Sequence, residues 1–257
     1  MKQLLLILAL GVLYSQSHSL NFDGGNDYLV VNHSEDYTLQ EELTISTWIY
    51  PHSYDNSANP WILGLGSGDY GNWLCFSDPG IQFKIEGVGS ITSSNRPPLN
   101  QWSHIVAVMS TDSLKIYANN ILIAGMGING GVIPENFISE SYIGTQNGVN
   151  DLFDGQIFSL NLWNRALTIS EINQIFNHND ITIQNSLEMS FGNFDEGFES
   201  NLIDLSGNQN NGNAFGVTVS TNIPSIPTYT NIPDDNFEQA LIDLGYDDVL
   251  DDYVYTE

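Results

Sequence analysis

The sequence predicts an all-β protein, a two-sheet antiparallel β-sandwich of jelly-roll type with one short helix near its C-terminal strands and a small helical cap at the end. Two observations predict it. About a dozen short segments alternate apolar with polar residues, and hairpin-type turn signals join nearly all of them. The composition agrees, since 23 Gly and 12 Tyr in 257 residues favour short strands and tight turns. Many short strands with a single intervening helix favour a sandwich over a barrel or a propeller. A chain of this length buries roughly 70% of the surface its unfolded form exposes, so its core needs no covalent staples.

Residues 1–17 read as a signal peptide. Lys2 gives a thin positive region, Leu4 to Leu13 an apolar run, and Ser15, Ser17 and Ser19 small residues for cleavage. The run is too short to span a bilayer and no later run is longer, so no membrane insertion is expected and the mature chain reads as exported. Strands begin with SLNFDGGNDYLVV (19–31), two apolar pieces around the turn FDGGND. In LTISTWIYP (43–51), Leu43, Ile45, Thr47 and Ile49 share one face and Thr44, Ser46, Trp48 and Tyr50 the other, with Trp48 read as core. Residues 52–80 are loop-rich and carry WILGLG and WLCF on either side of SGDYGN. Weaker strands follow at 81–85 and 91–93, then a strong one in QWSHIVAVM (101–109). SLKIYANNILIAG (113–125) is a hairpin whose Asn119 and Asn120 tolerate the left-handed backbone of a two-residue turn.

The stretch LFDGQIFSLNLWNRALTISEINQIF (152–176) joins a strand to a helix. Strict alternation places Ile157, Ser159, Asn161 and Trp163 on one face, with Phe158, Leu160 and Leu162 on the other. Thr168 stands three residues before Glu171 as a capping box, and Ile172, Ile175 and Phe176 recur at helical spacing. SLEMSF (186–191) is a further strand, and NLIDLSGNQNNGNAFGV (201–217) a polar turn leading to a last short one. The division expected is a sandwich over 18–218, an extended linker over 219–230 with Pro224 and Pro227, and an acidic helical segment over 231–257. In that segment Asp235 reads as the cap, Phe237, Leu241 and Leu244 as an apolar stripe and Gly245 as the stop. One short helix does not bury its stripe alone, so the segment needs a partner.

With 31 acidic and 5 basic residues the formal charge is −26, which makes nucleic acid and anionic membrane surfaces poor partners. The acidity serves either solubility or specific cation binding, and calcium is its natural counter-ion. Cys75 is the single cysteine, so no intramolecular disulfide forms, and the run WLCF makes it a small buried hydrophobe.

Five segments in order resemble one family. LNFDGGNDYLVV, LTISTWIYP, QWSHIVAVMSTDSLKIYANNILIAG, LFDGQIFSLNLWNRALTISEINQIF and NLIDLSGNQNNG are similar to the laminin-G-like (concanavalin A-like) jelly-roll domains of secreted bacterial proteins, over about residues 19–218. The stretch around WNRALT also looks like its counterpart in the pentraxins, which share the sandwich. IPDDNFEQALIDLGYDDVLDDYV resembles the segment that precedes leucine-rich repeats in secreted surface proteins of the Bacteroidetes group, so the chain reads as a fragment whose downstream domains are missing.

The resemblance implies a non-catalytic, calcium-stabilised binding module for carbohydrate or extracellular protein ligands, secreted or held on the bacterial cell surface. Its implied metal ligands are Asp23, Asn26 and Asp27, completed by Asp151 and Asp154 if the first and last strands are neighbours. Phe158 stands where many relatives carry an acid, so one ligand of the pattern is missing. The pentraxin likeness implies a ligand site from the loops Ser67 to Asn72 and Thr145 to Asn147, using Asp69, Asn72, Gln146 and Asn147. Trp61, Tyr70 and Trp73 beside it either stack on a sugar or plug the edge of the sandwich. One alternative is a glycoside hydrolase of the β-glucanase type, which needs two carboxylates flanking the bond. The alternating acids of the ExDxE or ExDxxE strand that such enzymes share are missing here. A structural spacer with no small ligand is the other.

Overall fold

The computed structural model describes residues 18–33, 41–54, 59–66, 71–133, 140–178, 186–192, 194, 198, 200–225, 229–231, 235–244 and 253–255. The predicted signal peptide lies outside them. The strands in chain order are β1 (Ser19–Asp23), β2 (Tyr28–Asn32), β3 (Leu43–Pro51), β4 (Trp61–Leu65), β5 (Asn72–Ser77), β6 (Gly80–Ile85), β7 (Gly89–Thr92), β8 (Ser103–Met109), β9 (Ser113–Ala118), β10 (Ile121–Gly127), β11 (Glu140–Ile143) and β12 (Asp154–Trp163). Helix α1 (Ile169–His178) is followed by β13 (Leu187–Phe191), β14 (Asn201–Leu202), β15 (Gly212–Phe215), β16 (Thr218–Ser220), β17 (Tyr229–Asn231), α2 (Asp235–Asp243) and β18 (Tyr253–Tyr255).

Sixteen of these strands form two eight-stranded antiparallel sheets, which is the predicted sandwich. The first runs β10-β9-β8-β3-β12-β1-β16 with β13 also on β12; the second runs β14-β15-β2-β11-β4-β5-β6-β7. The inner faces meet in one core that includes Leu20, Phe22, Ile45, Ile49, Leu63, Phe76, Phe83, Ile105, Phe153 and Leu160, all buried. Each such side chain contributes roughly 1.5–3 kcal/mol on burial. Hairpins join many neighbours, and the β9–β10 turn has the predicted form, with Asn119 and Asn120 at φ 46° and 66°. The FDGGND turn stands between two strands as expected. It carries the chain from one sheet to the other, because β1 pairs with β12 and β16 while β2 pairs with β11 and β15. Alternation states a strand's two faces and leaves its neighbours open, which is why the crossing is invisible locally.

The strict alternation expected along 157–163 is also corrected. The β12–β3 register shifts between Ile157 and Ser159, so a bulge at Phe158 puts Ile157 on the inner face with Leu160 and Leu162. Trp163 points outward, where α1 covers it together with Val106, Val108, Leu167, Ile172 and Ile175. Trp48 lies under the same helix, stacked 5.7 Å from Phe176, so it is core as expected. The capping box closes as predicted: the Glu171 N–H donates to Thr168 Oγ1 at 3.3 Å, and Glu171 Oε2 accepts the Thr168 N–H at 2.8 Å.

Helix α1 thus shields the outer face of the first sheet. The expected linker begins later than 219. Thr218–Ser220 pair with β1, and Asn222 accepts the Ser19 hydroxyl at its carbonyl and donates to Gln156 Oε1. In α2, Phe237 and Leu244 are exposed, Leu241 is half-buried and Glu238 is buried. Neither described helix is long and apolar enough to cross a membrane.

Candidate functional site

The exposed face of the second sheet is built by strand alternation. Residues with inward side chains, such as Leu29, Ile143, Leu63, Leu74 and Phe83, join the core; the residues between them point out. Register then lines up one outward row across seven strands: Asn213, Val30, Tyr142, Gly64, Trp73, Lys84 and Ser90. Gly64 is the place where a side chain is missing, and the Trp61 ring fills it. A Cβ on Gly64 would stand 2.5 Å from that ring.

Trp61 and Trp73 pack with centroids 5.1 Å apart, leaving Trp61 buried and Trp73 half-buried. The Trp73 indole N–H donates to Gln82 Oε1 at 2.9 Å, which fixes the ring plane. Lys84 Nζ lies 4.0 Å from the centre of the Trp73 ring and 2.9 Å from Glu86 Oε2, a cation over an aromatic face. At the other side of Gly64, the Tyr142 hydroxyl donates to Glu140 Oε2 at 2.9 Å; burial, and then this carboxylate, push its pKa up. Two residues further along, Tyr28 and Phe215 stack 4.8 Å apart on the same face. The result is a half-open row of aromatic rings with hydroxyl, amide and ammonium groups at its margins.

The predicted ligand residues divide. Asp69 and Tyr70 lie outside the described residues. Asn72 is a correction: it lies opposite the inward Leu65, is 1% exposed, and its Oδ1 accepts the Glu86 N–H at 3.0 Å. It sits at the end of β5 where the alternation turns it inward. Trp73 is on the open face as described. Gln146 and Asn147 belong to a self-bonded loop in which Asn147 Oδ1 accepts the N–H groups of Val149 and Asn150. That loop follows β11 at the Trp61 end of β4, whereas Asn72 stands at its Leu65 end, so the two predicted loops do not converge. The Gly148 backbone instead borders Tyr28, with φ 82° and room for a Cβ only 3.2 Å from the ring.

The predicted metal ligands come together only in part. Sandwich closure does pair the first strand with β12, and Asp23 faces Asp154 directly. Asp23 Oδ1, however, accepts the Gly25 and Asn26 N–H groups, and Asp154 Oδ1 lies 3.3 Å from His52 Nδ1. Asp27 is buried with Oδ2 on the Asp23 N–H, and burial holds its carboxyl above the usual range. Asp151 turns at φ 53° and gives its carbonyl to the Trp61 N–H. Phe158, at the bulge, packs edge-on against Trp102. Among the described residues no three His, Cys, Asp or Glu side chains are placed to hold an ion.

The sequence reading missed the row itself, although Tyr142, Gly64, Trp73 and Lys84 each carry the outward parity of their strands. Consecutive pairings line up Gly64, Trp73 and Lys84, and the pairing of β11 with β4, distant in sequence, brings Tyr142 beside them.

A family model described as the concanavalin A-like lectin/glucanases superfamily matches residues 23–173. No curated protein sequence matches the chain. Among solved structures, a protein from Bacteroides ovatus provisionally described as carbohydrate-binding superposes with TM-score 0.68 at 20% identity, over 82% of this chain and 61% of that one. The carbohydrate-binding module of a Ruminococcus gnavus sialidase, bound to α2,3-sialyllactose, gives 0.52 at 15% identity, over 63% and 98%. The chain therefore spans about three fifths of the length of the first of these proteins. At such identities the likeness is one of fold.

Proposed function

Because the chain belongs to the concanavalin A-like lectin and glucanase superfamily, we propose that it is a non-catalytic binding module that holds a polysaccharide outside the cell, on the open face of its second sheet. The observation that carries this reading is the outward row Tyr142, Trp73 and Lys84, where rings of fixed orientation alternate with polar groups. The C–H face of a pyranose is attracted to the electron-rich face of such a ring, and its hydroxyls find partners at the ring margins. The two fold neighbours support the choice, since one is described as carbohydrate-binding and the other holds a sialylated sugar.

Hydrolysis is not part of the proposal. Two carboxylates flanking a bound sugar are needed for it, and the acids beside the row are engaged elsewhere, Glu140 by Tyr142 and Glu86 by Lys84. The test is affinity electrophoresis against a panel of soluble plant and bacterial polysaccharides, with a matrix-protein array beside it. Retardation by at least one polysaccharide, unchanged by chelator, is expected. A blank panel with a positive protein array would replace the sugar by a protein ligand, and two blanks would leave a spacer.

A further inference from the structure

Cations are scarce in this chain, with five Lys and Arg against 31 acids, and the described ones have acidic company with one exception. Lys84 pairs with Glu86, Arg165 with Glu171, and Lys115 acts on Asp112. Arg96 pairs with no carboxylate among the described residues. Its guanidinium lies over the Tyr54 ring, with Cζ 4.9 Å from the centroid, and its Nε is buried without a hydrogen-bond partner. The Tyr54 hydroxyl donates to the Pro97 carbonyl at 2.6 Å, so the ring that supports Arg96 is tied to the loop that carries it.

Arg96 lines a cavity of about 430 Å³ at the margin of the sandwich, between the loop after β7 and the strands β8, β9 and β10. The volume falls within the roughly 300–1,000 Å³ of small-molecule sites. A second, independent observation points into the same space. Ser103, at the start of β8, is 1% exposed, and its hydroxyl is buried with no partner. Asn95 and Asn119 add amides to the lining, and Leu122 and Ile123 give it an apolar wall. An orphaned hydroxyl, a guanidinium with no carboxylate partner among the described residues and an apolar wall in one cavity specify a ligand with an oxyanion, hydroxyls and an apolar ring face. A guanidinium fork fits a planar carboxylate with two parallel hydrogen bonds.

We propose that this cavity is a second ligand site, specific for a carboxylate-bearing sugar of the uronic acid class. Arg96 takes the carboxylate, Ser103 a hydroxyl, and Leu122 the ring face. The site uses none of the residues of the Tyr142–Lys84 row, so it stands or falls separately from the polysaccharide face.

The test is a titration of the full chain with D-galacturonate, D-galactose and sulfate, followed through backbone amide shifts in the nuclear magnetic resonance spectrum. Saturable shifts at Ser103, Ala118, Asn119 and Leu122 are expected with galacturonate and not with galactose. Arg96→Gln is expected to weaken binding about tenfold or more, Arg96→Lys less because charge is kept and the fork lost, and Ser103→Ala by a few-fold. Trp73→Ala is expected to leave it unchanged. If Arg96→Gln does not fold, Arg96→Lys and Ser103→Ala carry the test. Absence of shifts at these amides, an equal response to galactose, equal affinity for sulfate, or unchanged affinity in the Arg96 and Ser103 variants would overturn the proposal.

Discussion

Trp73 carries the proposed sugar contact because three neighbours hold its ring: the tilted Trp61 indole with its centroid 5.1 Å away, Gln82 at its N–H, and the Lys84 ammonium 4.0 Å from its centre on one side. A ring fixed in this way loses little freedom on binding, so removing it subtracts nearly the whole stacking contribution. His104 shows a different use of fixation. It is buried below α1, with Nε2 at 2.8 Å from Ser46 Oγ, and burial pulls its pKa from 6.5 down to about 3. Between those values the unfolded chain binds a proton that the folded chain refuses. Stability is therefore full above pH 6.5 and falls as the pH drops toward 3, by at most about 1.4 kcal/mol per pH unit for this one group. Urea unfolding at pH 7, 5 and 4 is expected to give a slope shallower by about one proton in His104→Gln than in the wild type. Equal slopes would show that His104 is not the group refusing the proton.

At helix α1, sequence and structure agree closely because the capping signal is local. Thr168 and Glu171 satisfy each other's backbone N–H groups, and Arg165 adds a fork to Glu171 at 3.0 and 2.6 Å. The Arg165 hydrogen bonds lead in lowering the Glu171 pKa from 4.5 to about 2, so this contribution is present above pH 4.5 and is lost as the pH falls toward 2. Thr168→Ala is expected to cost about 1 kcal/mol at pH 7, measured by urea unfolding, with most of the difference kept at low pH because the Glu171 N–H to Thr168 Oγ1 bond does not titrate. The turn after β14 is the opposite case. It reads as a generic polar loop, yet Asp204 accepts from the Ser190, Ser206 and Asn210 N–H groups and from the Ser206 hydroxyl, pinning the loop to β13. Three of those donors are local, but Ser190 comes from another strand, and spacing alone does not reveal it. The bulge at Phe158 escapes for a similar reason, since an extra residue in one strand is visible only against its partner.

Across the molecule, what could be read from the chain was what alternation and turn chemistry encode: the two-sheet class, the Asn119–Asn120 hairpin, the strand-to-helix unit and the apolar core. What escaped was set by long-range pairing. Asp23 does meet Asp154 because β1 closes on β12, but Asp27 folds inward and Asp23 Oδ1 accepts the N–H groups of its own turn. Calcium in the millimolar range is accordingly expected to shift the melting temperature by less than about 2 °C relative to chelator, and a larger shift that Asp23→Asn removes would restore the metal to the account. The same closure leaves one sheet covered by α1 and the other with its aromatic row facing out, and that asymmetry is the basis of the functional reading. The most direct measurement is isothermal titration of the best polysaccharide ligand against the wild type, Trp73→Ala and Tyr142→Ala, with melting curves confirming that each variant folds. The account predicts affinity reduced at least about tenfold by Trp73→Ala and several-fold by Tyr142→Ala. Wild-type affinity in both folded variants would contradict it.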